Sequence, residues 1–133
     1  GNVGFPAVRR VMIAWDASVE AAKSVRDAIG IMQSAEAVEI VLIDPVPTYE
    51  GHGPEPGADL AAYLARHGLR PNVQRLPREG MEIGEVLSRA ARDLDCDLIV
   101  MGGFGHSRLR QRIFGGTTAT MMKSAPVPVL MAH

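Results

Sequence analysis

The order in which apolar and amphipathic segments follow one another most constrains the fold of this chain. Short, mostly apolar runs typical of buried strands alternate with segments whose apolar residues recur every three or four positions, as in helices that bury one face. Strands that are separated by helices pair in parallel, with the helices packed on the faces of the sheet. We therefore predict an α/β fold: a single doubly wound parallel sheet of five strands, in the order 3-2-1-4-5, with helices on both faces.

Turn residues and helix caps mark the boundaries of these elements. Strands are predicted over Val8–Trp15, Val38–Ile43, Asn72–Leu76, Leu98–Met101 and Val127–Ala132. Helices are predicted from the N-cap Ser18 to about Met32, from about Gly57 to His67, over Met81–Leu94 and over Gly116–Lys123. Gly68 is expected to end the second helix. The apolar face of the first helix is predicted from residues that recur every three or four positions, namely Val19, Ala22, Val25, Ile29 and Met32. Pro128 cannot donate to a ladder, so the last strand is expected at a sheet edge, and the polar strand Asn72–Leu76 also suits an edge.

Length and composition bound the class of protein. The 133 residues fit one domain, residues 1–133, and no second domain or internal repeat is visible. Lys and Arg total 14 against 15 Asp and Glu, so a nucleic-acid partner is not indicated. No apolar run approaches the ~18 residues of a membrane span and no signal peptide is recognisable, so we expect no membrane partner and a cytoplasmic location. The single cysteine, Cys96, is expected to pack as a small apolar side chain.

A glycine-rich segment follows the fourth predicted strand. Gly102 and Gly105 stand at its start, and Gly115 and Gly116 stand at its end, just before a predicted short helix. Glycine lets backbone N–H groups approach an anion closely, and the N-terminus of a helix adds free donors and a positive dipole end. The segment therefore has the design of a phosphate-binding loop.

A second feature is expected at the same place in the fold. Ligands of doubly wound sheets bind beyond the carboxyl ends of the strands where the winding reverses, here between the first and fourth strands. Asp16 ends the first strand and Gly102 begins the loop after the fourth, so both should border one crevice. Other phosphate sites are not supported by the residues: there is no Gly-Lys-Ser/Thr and no Gly-x-Gly-x-x-Gly after the first strand. A phosphoacceptor receiver is only weakly supported, because neither Lys23 nor Lys123 stands at a strand end.

With these residues in place, the chain resembles the universal stress proteins over essentially its whole length. ATP-binding members of that family carry G-x2-G-x9-G-[S/T] after the fourth strand, and Gly102, Gly105 and Gly115 match this spacing. The opening Val-Met-Ile-Ala-Trp-Asp-Ala-Ser and the closing Ser-Ala-Pro-Val-Pro-Val-Leu-Met also resemble the family. One position departs from the motif: Gly116 occupies the hydroxyl position, and Thr117 follows it. The loss of that hydroxyl would weaken a phosphate site by ~1–3 kcal/mol unless Thr117 replaced it.

The resemblance implies an adenine-nucleotide site with a defined set of residues. The adenine would lie near Ile43, with Ala14 and Asp16 beside the base and ribose. The ribose and phosphates would be wrapped by the segments around the glycines, namely Met101, Gly102, Gly105, His106, Ser107, Gly115, Gly116 and Thr117. Asp16 would accept a ribose hydroxyl or reach a phosphate-bound Mg²⁺ through water. Alternatively, Asp16 caps the first helix beside Ser18, and one carboxylate can serve both roles. Trp15 should point away from Ala14 and Asp16, into the core.

The function implied is the binding of ATP, with or without Mg²⁺, or of another adenine nucleotide, in a regulatory or stress-response role on a Rossmann-like fold. No general base or activated nucleophile is spaced for catalysis, so hydrolysis is expected to be slow at most. The resemblance also implies a homodimer joined through the last strand, Val127–Ala132, and leaves open that this domain is one half of a tandem protein. The alternative is a nucleotide-free dimerisation or protein-interaction module of the same fold, which the departure at Gly116 favours.

Overall fold

One sheet of five parallel strands organises the chain in the computed structural model, which describes residues 8–44, 57–102, 121 and 125–132. The strands are β1 (Arg10–Ala14), β2 (Ala37–Ile43), β3 (Asn72–Leu76), β4 (Leu98–Gly102) and β5 (Val129–Ala132). The helices of the described ranges are α1 (Val19–Gln33), α2 (Ala58–Arg66) and α3 (Ile83–Asp93). The strand order is β3-β2-β1-β4-β5, so the predicted topology is confirmed and both β3 and β5 lie at edges.

The predicted boundaries were right to within about two residues. β5 begins at Val129 rather than Val127, because Pro128 precedes the ladder and contributes only its carbonyl, which accepts from the Ile99 N–H at 3.0 Å. β1 is shorter than predicted at both ends. The predicted helix Gly116–Lys123 lies outside the described residues, apart from Met121. None of the helices within the described ranges is both long and apolar enough to cross a bilayer.

Alternate residues of the strands supply two separate cores, one on each face of the sheet. The first core joins α1 and α2 to strand residues that include Val11, Ile13, Ile40 and Val100. The second joins α3 and Met121 to strand residues that include Met12, Ala14, Val41, Ile99 and Met101. This division is typical of a doubly wound sheet, because helices cover both faces of its central strands.

The side chains of Trp15 and Cys96 lie in the cores as expected. Trp15 packs against the first core, whereas its neighbour Ala14 belongs to the second. Cys96 is buried in the second core, and burial, with a smaller contribution from nearby Glu39, raises the pKa of its thiol to about 11. The thiol is therefore protonated at neutral pH, as suits a packed side chain rather than a reactive one.

The buried stripe of α1 differs from the predicted one. Val19 was expected on the apolar face but is 63% exposed, because the helix is turned so that Glu20 and Ala21, rather than Val19, face the sheet. The buried stripe runs instead through Ala21, Val25, Ala28 and Met32, and it includes the polar Ser24. This shift places a hydroxyl where α1 crosses β4 and β5.

Parallel pairing brings all strand ends of one kind to the same edge of the sheet. We call the edge at Ala14, Ile43, Leu76, Gly102 and Ala132 the carboxyl rim, and the opposite edge, at Arg10, Ala37, Asn72, Leu98 and Val129, the amino rim. The chain winds from β1 outward through β2 to β3 and then returns to β4, on the other side of β1. The reversal therefore lies between β1 and β4, where Ala14 is paired with Met101.

Candidate functional site

The turn that leaves β1 is tightly determined by its own residues. The Asp16 Oδ1 atom accepts a hydrogen bond from the Ser18 N–H at 2.9 Å, a contact that closes the turn over Ala17. Ala17 itself is left-handed, with φ of +62°, a conformation that costs a residue with a Cβ about 1–2 kcal/mol. Strain of this kind persists only where the surroundings impose it, and it is often found at functional sites.

Helix α1 starts directly after this turn and directs its N-terminus to the carboxyl rim. Ser18 is extended and its Oγ accepts from the Ala21 N–H at 3.0 Å, so the predicted N-cap is confirmed. The buried Glu20 stands in the first turn of the helix. The positive end of the helix dipole stabilises negative charge here, whether it belongs to these carboxylates or to a bound anion.

Asp16 is the titratable group of this turn. Burial raises its pKa above the ordinary value of 3.8, the hydrogen bonds from Ser18 lower it, and the charge of Glu20 adds a smaller increase. Desolvation therefore outweighs the stabilising hydrogen bonds. A carboxylate that is half-buried at the reversal of the winding is a candidate for ligand contact, because an incoming hydroxyl could replace water that the ionised oxygen has lost.

Gly102 ends β4 against the first turn of α1. A Cβ at this position would lie 2.9 Å from the Ala21 N atom and 3.2 Å from the Ser18 Oγ. Only glycine therefore lets α1 approach β4 this closely. Close packing of α1 on β4 therefore explains on its own why residue 102 is glycine. The role of Gly102 in an anion-binding loop, which the sequence suggested, remains a hypothesis.

Three apolar residues of the predicted site lie on one face of the sheet. Ala14 and Met101 are fully buried in the second core, and Ile43 is half-buried against the same core at the end of β2. Ala14 is paired with Val41 on one side and Met101 on the other. We call these three side chains the apolar floor of the carboxyl rim; of the three, Ile43 is partly exposed and could contact the flat face of a base.

A second strained turn stands beside this floor. Asp44, directly after β2, is left-handed with φ of +46°, and its Oδ1 accepts from the Arg78 N–H at 3.1 Å. Its own N–H donates to the Leu76 carbonyl at 2.9 Å. The loops after β2 and β3 are thereby joined at the carboxyl rim.

The described rim therefore contains five of the eleven residues of the predicted site. Asp16, Ala14, Ile43, Met101 and Gly102 are brought to the ends of adjacent strands. The other predicted residues, Gly105, His106, Ser107, Gly115, Gly116 and Thr117, lie outside the described residues. A carboxylate and a helix N-terminus above an apolar floor have the chemistry that a base and ribose need, so the residues present fit the nucleoside half of an adenine nucleotide.

Sequence reasoning missed two polar residues of α1 that border this rim. Glu20 was passed over although an acid in the first turn of a helix is a common signal. Ser24 was passed over because a serine inside a helix carries no motif, and only the packing of α1 on the sheet shows that its side chain is fully buried.

Comparisons with known proteins converge on one family. Residues 7–133 match the model of the universal stress protein family. A universal stress protein of Synechocystis sp. is 28% identical over 130 residues, which are 95% of this chain but only 43% of that protein; the chain thus spans less than half of this curated relative.

Solved structures show the same fold at low identity. A universal stress protein in complex with cAMP superposes with a TM-score of 0.71 at 21% identity, covering 96% of this chain and 98% of that chain. A universal stress protein family protein from Arabidopsis thaliana with AMP bound gives a TM-score of 0.60 at 16% identity, covering 92% of this chain and 89% of that chain.

Proposed function

This chain belongs to the universal stress protein family, and we propose that it binds ATP or another adenine nucleotide at its carboxyl rim, as a regulatory or stress-response protein of the cytoplasm. The observation that carries the proposal is the meeting of Asp16, the N-terminus of α1 and the end of β4 at the reversal of the winding. Relatives of the same fold bind cAMP and AMP, which supports an adenine nucleotide as the ligand class.

The proposed pose follows from the chemistry of the rim. The base lies against the apolar floor near Ile43 and Ala14, and Asp16 accepts a ribose hydroxyl or reaches a phosphate-bound Mg²⁺ through water. The phosphates extend toward the glycine segment, where Gly105, His106, Ser107, Gly115, Gly116 and Thr117 would hold them through backbone N–H groups and short side chains. Mg²⁺, when present, would offset the charge between the phosphates and Asp16.

Calorimetric titration of the full chain with AMP, cAMP and ATP, each with and without Mg²⁺, tests this function. We expect saturable binding in the micromolar range for at least one of the three. The absence of heat at millimolar nucleotide would overturn the proposal.

The Asp16→Asn variant then locates the ligand. Asparagine keeps an oxygen that can accept from the Ser18 N–H, so the turn survives while the charge is lost. If Asp16 accepts a ribose hydroxyl, the affinity falls by about tenfold for every nucleotide. If the phosphates lie beside Asp16 without a metal, the affinity rises instead. Asp97→Asn, at the amino rim, is the matched control and should leave the affinity unchanged.

A homodimer joined through Val127–Ala132 is part of the proposal. β5 is an edge strand, and Val129, Leu130 and Met131 are only half-buried along it, so a second copy could cover them. We expect sedimentation equilibrium to show a dimer; a monomer at the highest attainable concentration would contradict it. The same domain placed once or twice in a longer protein is compatible with this edge contact.

The alternative function is a nucleotide-free dimerisation or interaction module. Two observations favour it: Gly116 stands where the family motif has a hydroxyl, and both Asp16 and Gly102 have structural reasons for their identity. A chain that dimerises but takes up no nucleotide in the titration above would establish this alternative.

A further inference from the structure

We propose that Ser24 is a positioning residue that connects the carboxyl rim to the edge strand β5, so that a ligand at the rim stabilises the end of that strand. Its side chain is fully buried on α1. Its Oγ lies 2.7 Å from the Met101 carbonyl oxygen and 2.8 Å from the Ala132 amide nitrogen. The ligand-dependent part of this inference rests on the proposed function; the hold on β5 does not.

The direction of these hydrogen bonds follows from the atoms involved. The Ala132 N–H can only donate, so the Ser24 hydroxyl accepts from it. The single hydroxyl hydrogen is then free to donate to the Met101 carbonyl at 2.7 Å or to the Glu20 carbonyl of the preceding helical turn at 3.0 Å. The shorter contact favours Met101. The result is a relay from the amide of β5, through a helix side chain, to the carbonyl of β4.

The relay occupies a specific place in the ladder. Met101 is in register with Met131, and Gly102 with Ala132. In a parallel pair with this register, the Ala132 N–H and the Met101 carbonyl face each other as the last rung. The Ser24 hydroxyl lies within hydrogen-bonding distance of both groups of that rung. The end of β5 is therefore attached to α1 as well as to β4.

The same helical segment contacts the candidate site. One turn before Ser24, the first turn of α1 lies so close to Gly102 that no Cβ fits between them. The cap Ser18 and the carboxylate Asp16 immediately precede this turn and are joined by the Ser18 N–H to Asp16 Oδ1 bond. A ligand that immobilises this turn and Gly102 thus acts on a continuous series of contacts that reaches Ala132 through Ser24.

A hydroxyl at this position is not replaceable by a smaller apolar side chain. Alanine would remove the group that satisfies both the Ala132 N–H and the Met101 carbonyl in a buried place. These two groups could then pair only directly, without α1. The loss would be local, at the end of β5, because the other rungs of the pair do not involve Ser24.

Ser24→Ala tests the relay, with Ser88→Ala as the matched control. Ser88 is a buried serine of α3, and among the residues that the structure describes its hydroxyl has only a weak contact, at 3.6 Å to the Met121 sulfur. The measurement is amide hydrogen exchange by NMR on the full chain, with and without AMP. The amide shifts of Asp16 and Gly102 follow AMP binding in the same samples.

Two results are expected. Without ligand, Ser24→Ala lowers the protection of the Ala132 amide by about tenfold, the equivalent of one hydrogen bond, and Ser88→Ala does not. When AMP is added, the exchange protection of the Ala132 amide rises in the wild type and in Ser88→Ala. It does not rise in Ser24→Ala, even though the amide shifts show that this variant still binds AMP. A merely structural serine would not remove this ligand response.

Each part of the proposal can fail separately. Unchanged protection of Ala132 in ligand-free Ser24→Ala overturns the relay. An equal response to AMP in Ser24→Ala and in the wild type, or no response of Ala132 in a wild type that binds AMP, overturns the link between the rim and β5. One outcome is that the amide shifts of Asp16 and Gly102 show no binding of AMP. If the calorimetric titrations also detect no binding of any nucleotide, the proposed function and the link between the rim and β5 are both overturned. The ligand-free comparison of Ser24→Ala with the wild type still decides whether the relay exists.

Discussion

The two rims of the sheet use polar residues in opposite ways. At the amino rim, the Asp97 carboxylate accepts from the backbone N–H groups of both Arg9 and Arg10. Where β3 begins, the buried Glu39 of β2 accepts from the side-chain amides of Asn72 at 3.2 Å and Gln74 at 3.5 Å. These carboxylates hold neighbouring strands and loops together, so their role is complete within the chain.

At the carboxyl rim, the polar residues are less favourably placed. Burial raises the pKa of Asp16, and its neighbour Ala17 is left-handed. Alanine, unlike the left-handed Asp95 of the amino rim, has no polar side chain that favours this conformation. The fold bears these costs where the winding reverses and a ligand is expected. The comparison indicates that the amino rim contributes stability, whereas the carboxyl rim carries strain at the place where we propose that a ligand binds.

Gly102→Ala should have the largest effect on the free energy of unfolding, because it disrupts the packing of α1 against β4 at the carboxyl rim. The new Cβ would lie 2.9 Å from a backbone nitrogen, which cannot move as a flexible side chain can. We expect a loss of about 1–3 kcal/mol in the free energy of unfolding, measured by urea denaturation. Gly30→Ala is the control: nothing lies within 4 Å of its Cβ in α1, so it should stabilise by about 0.5–1 kcal/mol. Equal effects at the two glycines would refute this reading.

Asp97→Ala breaks the amino rim. Two backbone N–H groups would lose their acceptor, which should lower the free energy of unfolding by about 1–2 kcal/mol. Asp97→Asn keeps an acceptor oxygen and should lose less than half as much. Nucleotide binding, if present, should persist in both variants under native conditions; its loss would mean that the two rims are not separable.

Ala17→Gly sharpens the comparison by relieving strain at the carboxyl rim. The left-handed conformation costs alanine about 1–2 kcal/mol, and the greater freedom of glycine in the unfolded chain offsets part of that gain. We expect a net stabilisation of about 0.5 kcal/mol in thermal or urea denaturation. Asp95→Gly, at a left-handed position of the amino rim, should gain less, because aspartate tolerates this conformation better than alanine.

Asp16→Asn should have the smallest effect on stability, and the effect should depend on pH. Because the pKa of Asp16 is raised in the folded state, the folded protein binds the carboxyl proton more tightly than the unfolded chain does. The stability that this proton contributes is fully present below pH 3.8, the ordinary pKa, and it is lost as the pH rises through the folded-state pKa. Asparagine has no proton to lose, so Asp16→Asn should be more stable than the wild type only at pH values above the folded-state pKa of Asp16. Since Asp16 is half-exposed, we expect a difference of only about a few tenths of a kcal/mol at neutral pH. A variant that is less stable than the wild type at neutral pH, in denaturation series across the pH range, would contradict this.

The topology could be read from the sequence because its signals are local and repeated. The alternation of elements indicated a parallel, doubly wound sheet, for which 3-2-1-4-5 is one common strand order, and the edge positions of β3 and β5 followed from polar composition and from Pro128. The N-cap Ser18 and the end of α2 at Gly68, whose φ is +82°, depended on single residues with strong backbone preferences. Helix packing could not be read in the same way, which is why Val19 was assigned to the buried face.

The candidate site was predictable only in outline. Asp16 and Gly102 could be placed at one crevice because parallel strands end at one rim. The strain at Ala17 and the relay at Ser24 depend on the distance between α1 and β4, which no local pattern encodes. The reason for glycine at position 102 was therefore also missed: the sequence suggested an approaching anion, and the structure shows an approaching helix.

The central position of β1 has a consequence for biosynthesis. The Asp97 carboxylate accepts from the Arg9 N–H just before β1, although the two residues are 88 positions apart in the chain. β4, which pairs with β1, follows directly after Asp97. While the ribosome is still producing the intervening segment, one side of this strand, which is apolar after Arg10, has no partner. That is the situation in which nascent chains associate wrongly. A chaperone that shields the emerging β1 should therefore raise the yield of native protein, and the benefit should end once β4 has left the exit tunnel.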